Sequence, residues 1–310
     1  MTAGGALVAG GTLAAATPGR FVGSVAELNE VRAREPQRIA ELLRTRRRRE
    51  LFGADGRLMV VACDHPARGA LAAAGRPMAM GDRWELLERL VTALGHPGVD
   101  GLLATADIVE DLLLLGALED KLVFSSMNRG GLAGASFELD DRRTGYDVAG
   151  TVAAGFDGAK MLARIDLEDP GTVATLEQCG QAVTELNRAG LVAMVEPFLS
   201  RRVEGRLVND LSADAVIRSV HIAQGLGSSS AYTWLKLPVV PEMERVMAAT
   251  TLPTLLLGGD PGGAPDETYA SWRAALALPS VRGLVLGRTM LYPADDDVAG
   301  AVDTAVAMVR

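Results

Sequence analysis

From about residue 55 onward, short apolar runs rich in β-branched residues alternate with longer stretches whose apolar positions recur at helical spacing. The runs lie at 58–63, 101–104, 122–126, 158–162, 191–196, 233–236, 254–257 and 283–286, and each predicts a strand. Helical stretches fall between them, as at 84–94, 108–115, 173–189, 213–224, 241–248 and 266–277. Gly or Pro marks many of the changes, among them Gly95, Pro97, Gly155, Gly190 and Pro253. Strands that read as continuous apolar runs belong in a parallel sheet covered on both faces. Eight strand-then-helix units over roughly 240 residues predict an α/β fold, the (β/α)8 TIM barrel. An open doubly wound sheet would want a glycine-rich turn after its first strand, and Val61-Ala62-Cys63-Asp64-His65 is not one. Residues 25–50 predict an extra N-terminal helix that closes the bottom of the barrel or packs on its side. Residues 1–24, rich in Gly, Ala and Thr, read as a flexible tail, and 25–310 as a single catalytic domain.

Composition narrows the function. A chain of 310 residues can bury a large core. Its net charge of −8 argues against a general nucleic-acid binder. No window approaches about 20 uninterrupted apolar residues, so no membrane span is expected. Cys63 and Cys179 are too few for a disulfide framework, and the first 20 residues lack the basic start of a secretory signal. Both point to a reduced, cytoplasmic setting. The basic run from Arg44 to Arg49, interrupted by Thr45, reads as a solvated helix end. Of 31 basic residues only Lys121, Lys160 and Lys236 are lysine, so each stands where arginine is the default.

Barrel active sites form at the C-terminal ends of the strands, so the polar residues that end the apolar runs are the candidates. These are Asp64 and His65 after the first run, then Ser125, Ser126, Asn128 and Arg129 around the end of the third. Lys160, Glu196 and Lys236 follow on the fourth, fifth and sixth. Side-chain alternation places Lys160 on a face with Gly158 and Leu162, Glu196 with Val192 and Met194, and Lys236 with Trp234. If those faces point inward, neighbouring strands about 4.8 Å apart bring the three charges within mutual reach. Lone buried charges cost several kcal/mol. The trio is therefore either an ion cluster that fixes the strands or a site in which one lysine is the nucleophile. A second cation nearby and desolvation both favour a neutral amine, the form that attacks a carbonyl. The residues alone leave Lys160 and Lys236 as equal candidates.

Gly258, Gly259, Gly287 and Arg288 end the last two runs, where backbone N–H groups and a guanidinium suit a phosphate. No set of His, Asp and Glu has metal-ligand spacing, so no metal is expected. An isomerase or decarboxylase using Lys160 and Glu196 for proton transfer, or a non-catalytic sugar-phosphate-binding protein, would fit the same residues.

Taken in order, the motifs resemble those of the class I aldolases that include deoxyribose-phosphate, tagatose-bisphosphate and archaeal-type fructose-bisphosphate aldolases. The match is carried by Asp64-His65-Pro66-Ala67-Arg68-Gly69, by Lys160 in Gly-Ala-Lys-Met-Leu, and by Glu196 in Val-Glu-Pro-Phe. It continues through Lys236 in Trp-Leu-Lys-Leu-Pro, Leu-Leu-Gly258-Gly259 and Leu-Gly287-Arg288. A deoxyribose-phosphate aldolase-like subgroup of actinobacteria linked to inositol catabolism looks most similar. Pro66 stands where the fructose-bisphosphate branch often has Gly, and Glu196 where that branch has Tyr; the tagatose-bisphosphate branch has Glu. The resemblance implies that Lys236 forms a Schiff base with a phosphorylated keto- or deoxy-sugar, without metal or other cofactor. It implies that Glu196, Lys160 and Asp64 assist; His65 and Arg129, after the first and third runs, are further candidates for contact with the substrate. Barrels of this type commonly assemble as homo-oligomers.

Overall fold

A computed structural model describes residues 23–258 and 265–310. Among them nine strands form: β1 Leu58–Cys63, β2 Gly101–Ala104, β3 Leu122–Ser126, β4 Gly158–Ile165, β5 Val192–Val203, β6 Arg206–Asn209, β7 Thr233–Pro238, β8 Thr254–Leu257 and β9 Val281–Leu286. All but β6 pair in parallel around a ring that β9 and β1 close, giving a (β/α)8 TIM barrel. Double burial explains the unbroken apolar runs. One alternation phase, including Val60, Ala62, Phe124, Met194 and Trp234, fills the interior. The other, including Val61, Cys63, Val123, Val195 and Leu235, meets the surrounding helices.

Three expectations change. β4 and β5 run past the predicted 162 and 196 to Ile165 and Val203. Polar side chains on their upper halves, Arg164 and Arg201 among them, break the apolar run without breaking the strand. The upper part of β5 then turns at Glu204-Gly205, with φ of 49° and 77°, and pairs antiparallel with β6. A two-residue turn ending in Gly between alternating runs is the signal for such a hairpin, and Arg-Arg-Val-Glu-Gly-Arg-Leu-Val carries it.

At the N-terminus, one expected helix becomes two, Val25–Arg34 and Gln37–Thr45, because Pro36 lacks the N–H that a continuous helix needs. The pair lies on the barrel's side, where Arg32 bonds Asp111 at 2.7 Å and Glu110 at 2.9 Å. Ser24 caps the first helix by accepting from the Glu27 N–H; the proposed tail before residue 23 lies outside the described residues.

The basic run is a solvated helix end only in part: Arg44, Arg47 and Arg48 are exposed, but Arg46 and Arg49 are not. Arg46 is buried and donates to the carbonyls of Lys121 and Gly155, and Arg49 reaches Asp100 at 2.6 Å. Arg47 and Arg48 bond Asp120 and Asp157. Asp100 and Asp157 stand immediately before β2 and β4, and Asp120 two residues before β3, so the run staples residues 46–49 beneath the N-terminal ends of the strands. Phe52 then stacks on Trp234 at 5.6 Å and floors the interior. Lys121 belongs to this end as well, donating to the Val99 carbonyl at 2.6 Å. That leaves two lysines for the opposite mouth.

Candidate active site

Strand register sets the site. Lys160 pairs with Ser126 on one side and Met194 on the other, and Glu196 pairs with Leu162. Lys236 pairs with Leu255, and β7 follows β5 in the ring. All three charged residues continue the inward phase, above the apolar floor, as does Asp64 beyond Ala62. Asn128 holds β3 against β4 by donating to the Leu162 carbonyl at 2.7 Å and accepting from its N–H at 2.9 Å.

The four charges form one chain of contacts. Lys236 Nζ donates to Glu196 Oε1 at 2.7 Å. Glu196 Oε2 lies 3.3 Å from Lys160 Nζ, which lies 2.5 Å from Asp64 Oδ2. Lys160, Lys236 and Glu196 expose 2%, 5% and 6% of their surface, so all three have left bulk water. Burial on this scale is tolerated only when charges pair, and two ammonium groups alternate here with two carboxylates.

The pairing is uneven. Lys160 touches both carboxylates, whereas Lys236 touches Glu196. Burial disfavours the Lys160 cation, but Asp64 and Glu196 outweigh it and hold that ammonium above the usual lysine range. Burial likewise opposes ionisation of Asp64 and Glu196. The lysines outweigh it and keep both carboxyls below the usual range.

His65 sits beside Asp64, its Nδ1 3.7 Å from Oδ1. Burial, with help from Arg288 and Lys236, pushes its pKa down from 6.5 to about 4, against the pull of Asp64. The folded protein therefore releases this proton below the pH at which the unfolded chain does. The associated stability is present above pH 6.5 and is lost as pH falls through about 4. Its imidazole proton resonances should stay unshifted between pH 5 and 8 by NMR. A titration centred near 6.5 would show a solvated ring instead.

A cavity of about 520 Å³ opens above the tetrad. Gly258, Gly287, Arg288, His65 and Arg129 line it, while Gly259 lies outside the described residues. Packing alone already demands both glycines. A Cβ at Gly287 would meet the Ala62 carbonyl at 2.8 Å, and one at Gly258 would meet Leu286 at 2.4 Å. Arg129 sits at the rim, its guanidinium donating to the Ala67 carbonyl at 2.7 Å and to Thr144 at 3.0 Å.

Arg68 and Arg164 also line the cavity; Arg68 stands in the motif that carries the resemblance but had no assigned role, and Arg164 was not singled out. Arg164 was legible, since it repeats the inward phase of Lys160 and Leu162. In a chain of net charge −8, six cationic side chains line this cavity against two carboxylates, so it attracts anions. A second, more open cleft of about 580 Å³ lies beyond the β5–β6 hairpin and contains none of the tetrad.

Cys63 and Cys179 are free and buried. Burial pushes the Cys179 thiol up to about 12 and Cys63 higher still, which marks both as packing residues. Among the described residues no three His, Cys, Asp or Glu side chains group as a metal site, and no helix is long and apolar enough to cross a membrane.

A family model for Cgl0159-like proteins matches residues 56–306. The chain belongs to the Cgl0159-like family. The crystal structure of Cgl0159 from Corynebacterium glutamicum is 60% identical over 92% of this chain and 96% of that one, with a TM-score of 0.89. A Schiff base-forming fructose-1,6-bisphosphate aldolase is 18% identical over 88% of this chain and 100% of that one, with a TM-score of 0.60. An archaeal fructose-1,6-bisphosphate aldolase is 17% identical over 87% and 98%, also at 0.60. At such identities the two aldolases share the barrel fold with this Cgl0159-like chain. No curated protein matches it.

Proposed function

We propose that this Cgl0159-like protein is a class I aldolase, in which Lys236 forms a Schiff base with a phosphorylated keto- or deoxy-sugar. The observation that carries the reading is the Lys236–Glu196–Lys160–Asp64 chain, buried at the catalytic end of the barrel beneath an anion-attracting cavity. The fold shared with a Schiff base-forming aldolase supports it, as does the motif order that resembles the deoxyribose-phosphate aldolase-like group of carbohydrate catabolism.

The uneven pairing supports Lys236 over Lys160 as nucleophile. An amine held by two carboxylates keeps its proton. Lys236 needs only to pass one proton to Glu196, 2.7 Å away. The free amine then adds to the carbonyl carbon, and the carbinolamine loses water as Glu196 returns the proton. The protonated imine draws in the electron pair of the adjacent C–C bond. That bond breaks to an enamine and an aldehyde as Asp64 takes the proton of the β-hydroxyl, whose oxygen becomes the aldehyde carbonyl. Protonation of the enamine and hydrolysis of the imine restore the lysine. Lys160 stays charged throughout, orienting both carboxylates and donating to a substrate hydroxyl. The chain's own lysine is the electron sink, so this reaction calls for no cofactor or metal. Gly258, Gly287 and Arg288 are assigned to one phosphate.

Borohydride tests the reading. It should inactivate the protein irreversibly when a ketose phosphate is present and leave it active when the sugar is omitted. Turnover of the sugar with no inactivation would replace imine chemistry by simple proton transfer, as in an isomerase.

A further inference from the structure

The β5–β6 hairpin presents a sheet face that the described residues leave uncovered. Ile165 pairs with Leu199, and the Asp210 N–H donates to the Leu199 carbonyl at 2.8 Å. The flanking helices, Gly171–Ala189 and Ala213–Gln224, therefore begin near the level of Leu199, and beyond it the hairpin projects past both. Arg201 pairs with Val208 and Val203 with Arg206, so these four side chains share one face. That face continues the phase of Ala193 and Val195, which meets helices lower on β5. Above the helices all four residues are exposed. The opposite face is already used. Ser200 is buried and bonds Asn209 at 2.9 Å, and Arg202 donates to the Ser136 carbonyl at 2.9 Å.

Charge is divided across this region. Arg201 and Arg206 sit on the hairpin, while Asp166, Glu168 and Asp210 line the cleft of about 580 Å³ at its foot. Arg202 reaches Asp169 at 3.6 Å, but Arg201, Arg206 and Glu168 enter no ion pair among the described residues. Apolar surface lies between the charges. Leu167, Val203, Val208 and Leu211 are all exposed, Leu167 by 68%. Lone exposed apolar side chains are ordinary, but four around one cleft mark an interaction surface. β6 is also the edge of its sheet, so its outer backbone groups lack a strand partner. A face that carries its own counter-charges beside it is self-complementary. A two-fold axis sets each cationic hairpin over the acidic cleft of the other copy, and the two contacts are identical.

We propose that this face joins two copies of the chain about a two-fold axis, the β5–β6 hairpin of each lying across the 166–170 cleft of the other. The four exposed apolar side chains of each copy then leave water, and the unpaired charges gain partners. A small cation in the cleft would engage the acids but leave Val203, Val208 and the hairpin arginines unused. Asn209 lines the cavity above the tetrad, so the paired hairpins also steady one wall of the candidate active site. The pairing is independent of the reaction that the site performs.

Sedimentation equilibrium of the full chain and two charge-altered variants tests this. The unmodified protein should be a dimer, or an even-numbered assembly of dimers, at micromolar concentration. Arg201→Glu with Arg206→Glu lays acids over an acidic cleft and should raise the dissociation constant at least about 100-fold. Asp166→Asn with Glu168→Arg sets a cation beneath cationic hairpins and should do the same. Asparagine there keeps the turn in which Asp166 accepts the Glu168 N–H. Mixed in equal amounts, the two variants should recover dimers, because both hairpin–cleft contacts of the mixed pair again join opposite charges. Misfolded chains would not recover in this way. A monomeric unmodified protein would overturn the proposal. So would variants that associate as tightly as the unmodified chain, or weakened variants that stay apart on mixing.

Discussion

Lys236→Arg should fold normally and lose roughly 10⁴-fold or more in kcat, with substrate affinity little changed. Arginine keeps a positive charge beside Glu196, so the buried carboxylate retains a partner and the interior stays balanced. What it loses is the chance to become a neutral amine, since a guanidinium does not shed its proton in a protein. Melting temperature and a binding isotherm separate that loss from misfolding. Both should resemble the unmodified protein's while turnover disappears. A variant retaining a tenth of the activity would remove Lys236 from the chemistry.

The second large effect falls on stability. Lys160→Met leaves Asp64 and Glu196 facing each other across a buried gap, with Lys236 as their one remaining cation in the tetrad. Breaking one partner out of a buried ion pair costs about 3–5 kcal/mol, because the charge left behind has neither water nor a counter-ion. For a domain of this size that lowers Tm by roughly 10 °C. The double variant Asp64→Asn with Lys160→Met removes one charge of each sign and should recover most of the loss. Denaturant melts of the two single variants and the double variant measure this coupling. If their effects simply add, Asp64 and Lys160 are not coupled and the short contact between them contributes little.

Much of this was legible in the sequence, for definite reasons. Parallel strands buried on both faces must be apolar throughout, so each of the eight runs announced a barrel strand. A charge inside such a run costs enough that Lys160, Glu196 and Lys236 had to have a purpose. Alternation then placed them on one inner face. What stayed hidden depends on distance. Arg46 and Arg49 look like a solvated run until Asp100 and the carbonyls of Lys121 and Gly155 fold beneath them. Arg68 and Arg164 come together only because Glu138 arrives on a loop 26 residues from Arg164 and 70 from Arg68. The choice between the two lysines is of the same kind. Both occupy inward positions on apolar strands, and only the folded arrangement gives Lys160 two carboxylates where Lys236 has one.

The most direct measurement is to reduce the protein with borohydride in the presence of a phosphorylated keto-sugar, digest it and map the modified peptide by mass spectrometry. The adduct is expected on Lys236, within Trp-Leu-Lys-Leu-Pro. An adduct on Lys160, or none with any ketose or deoxy-sugar phosphate that the protein binds, would contradict the account.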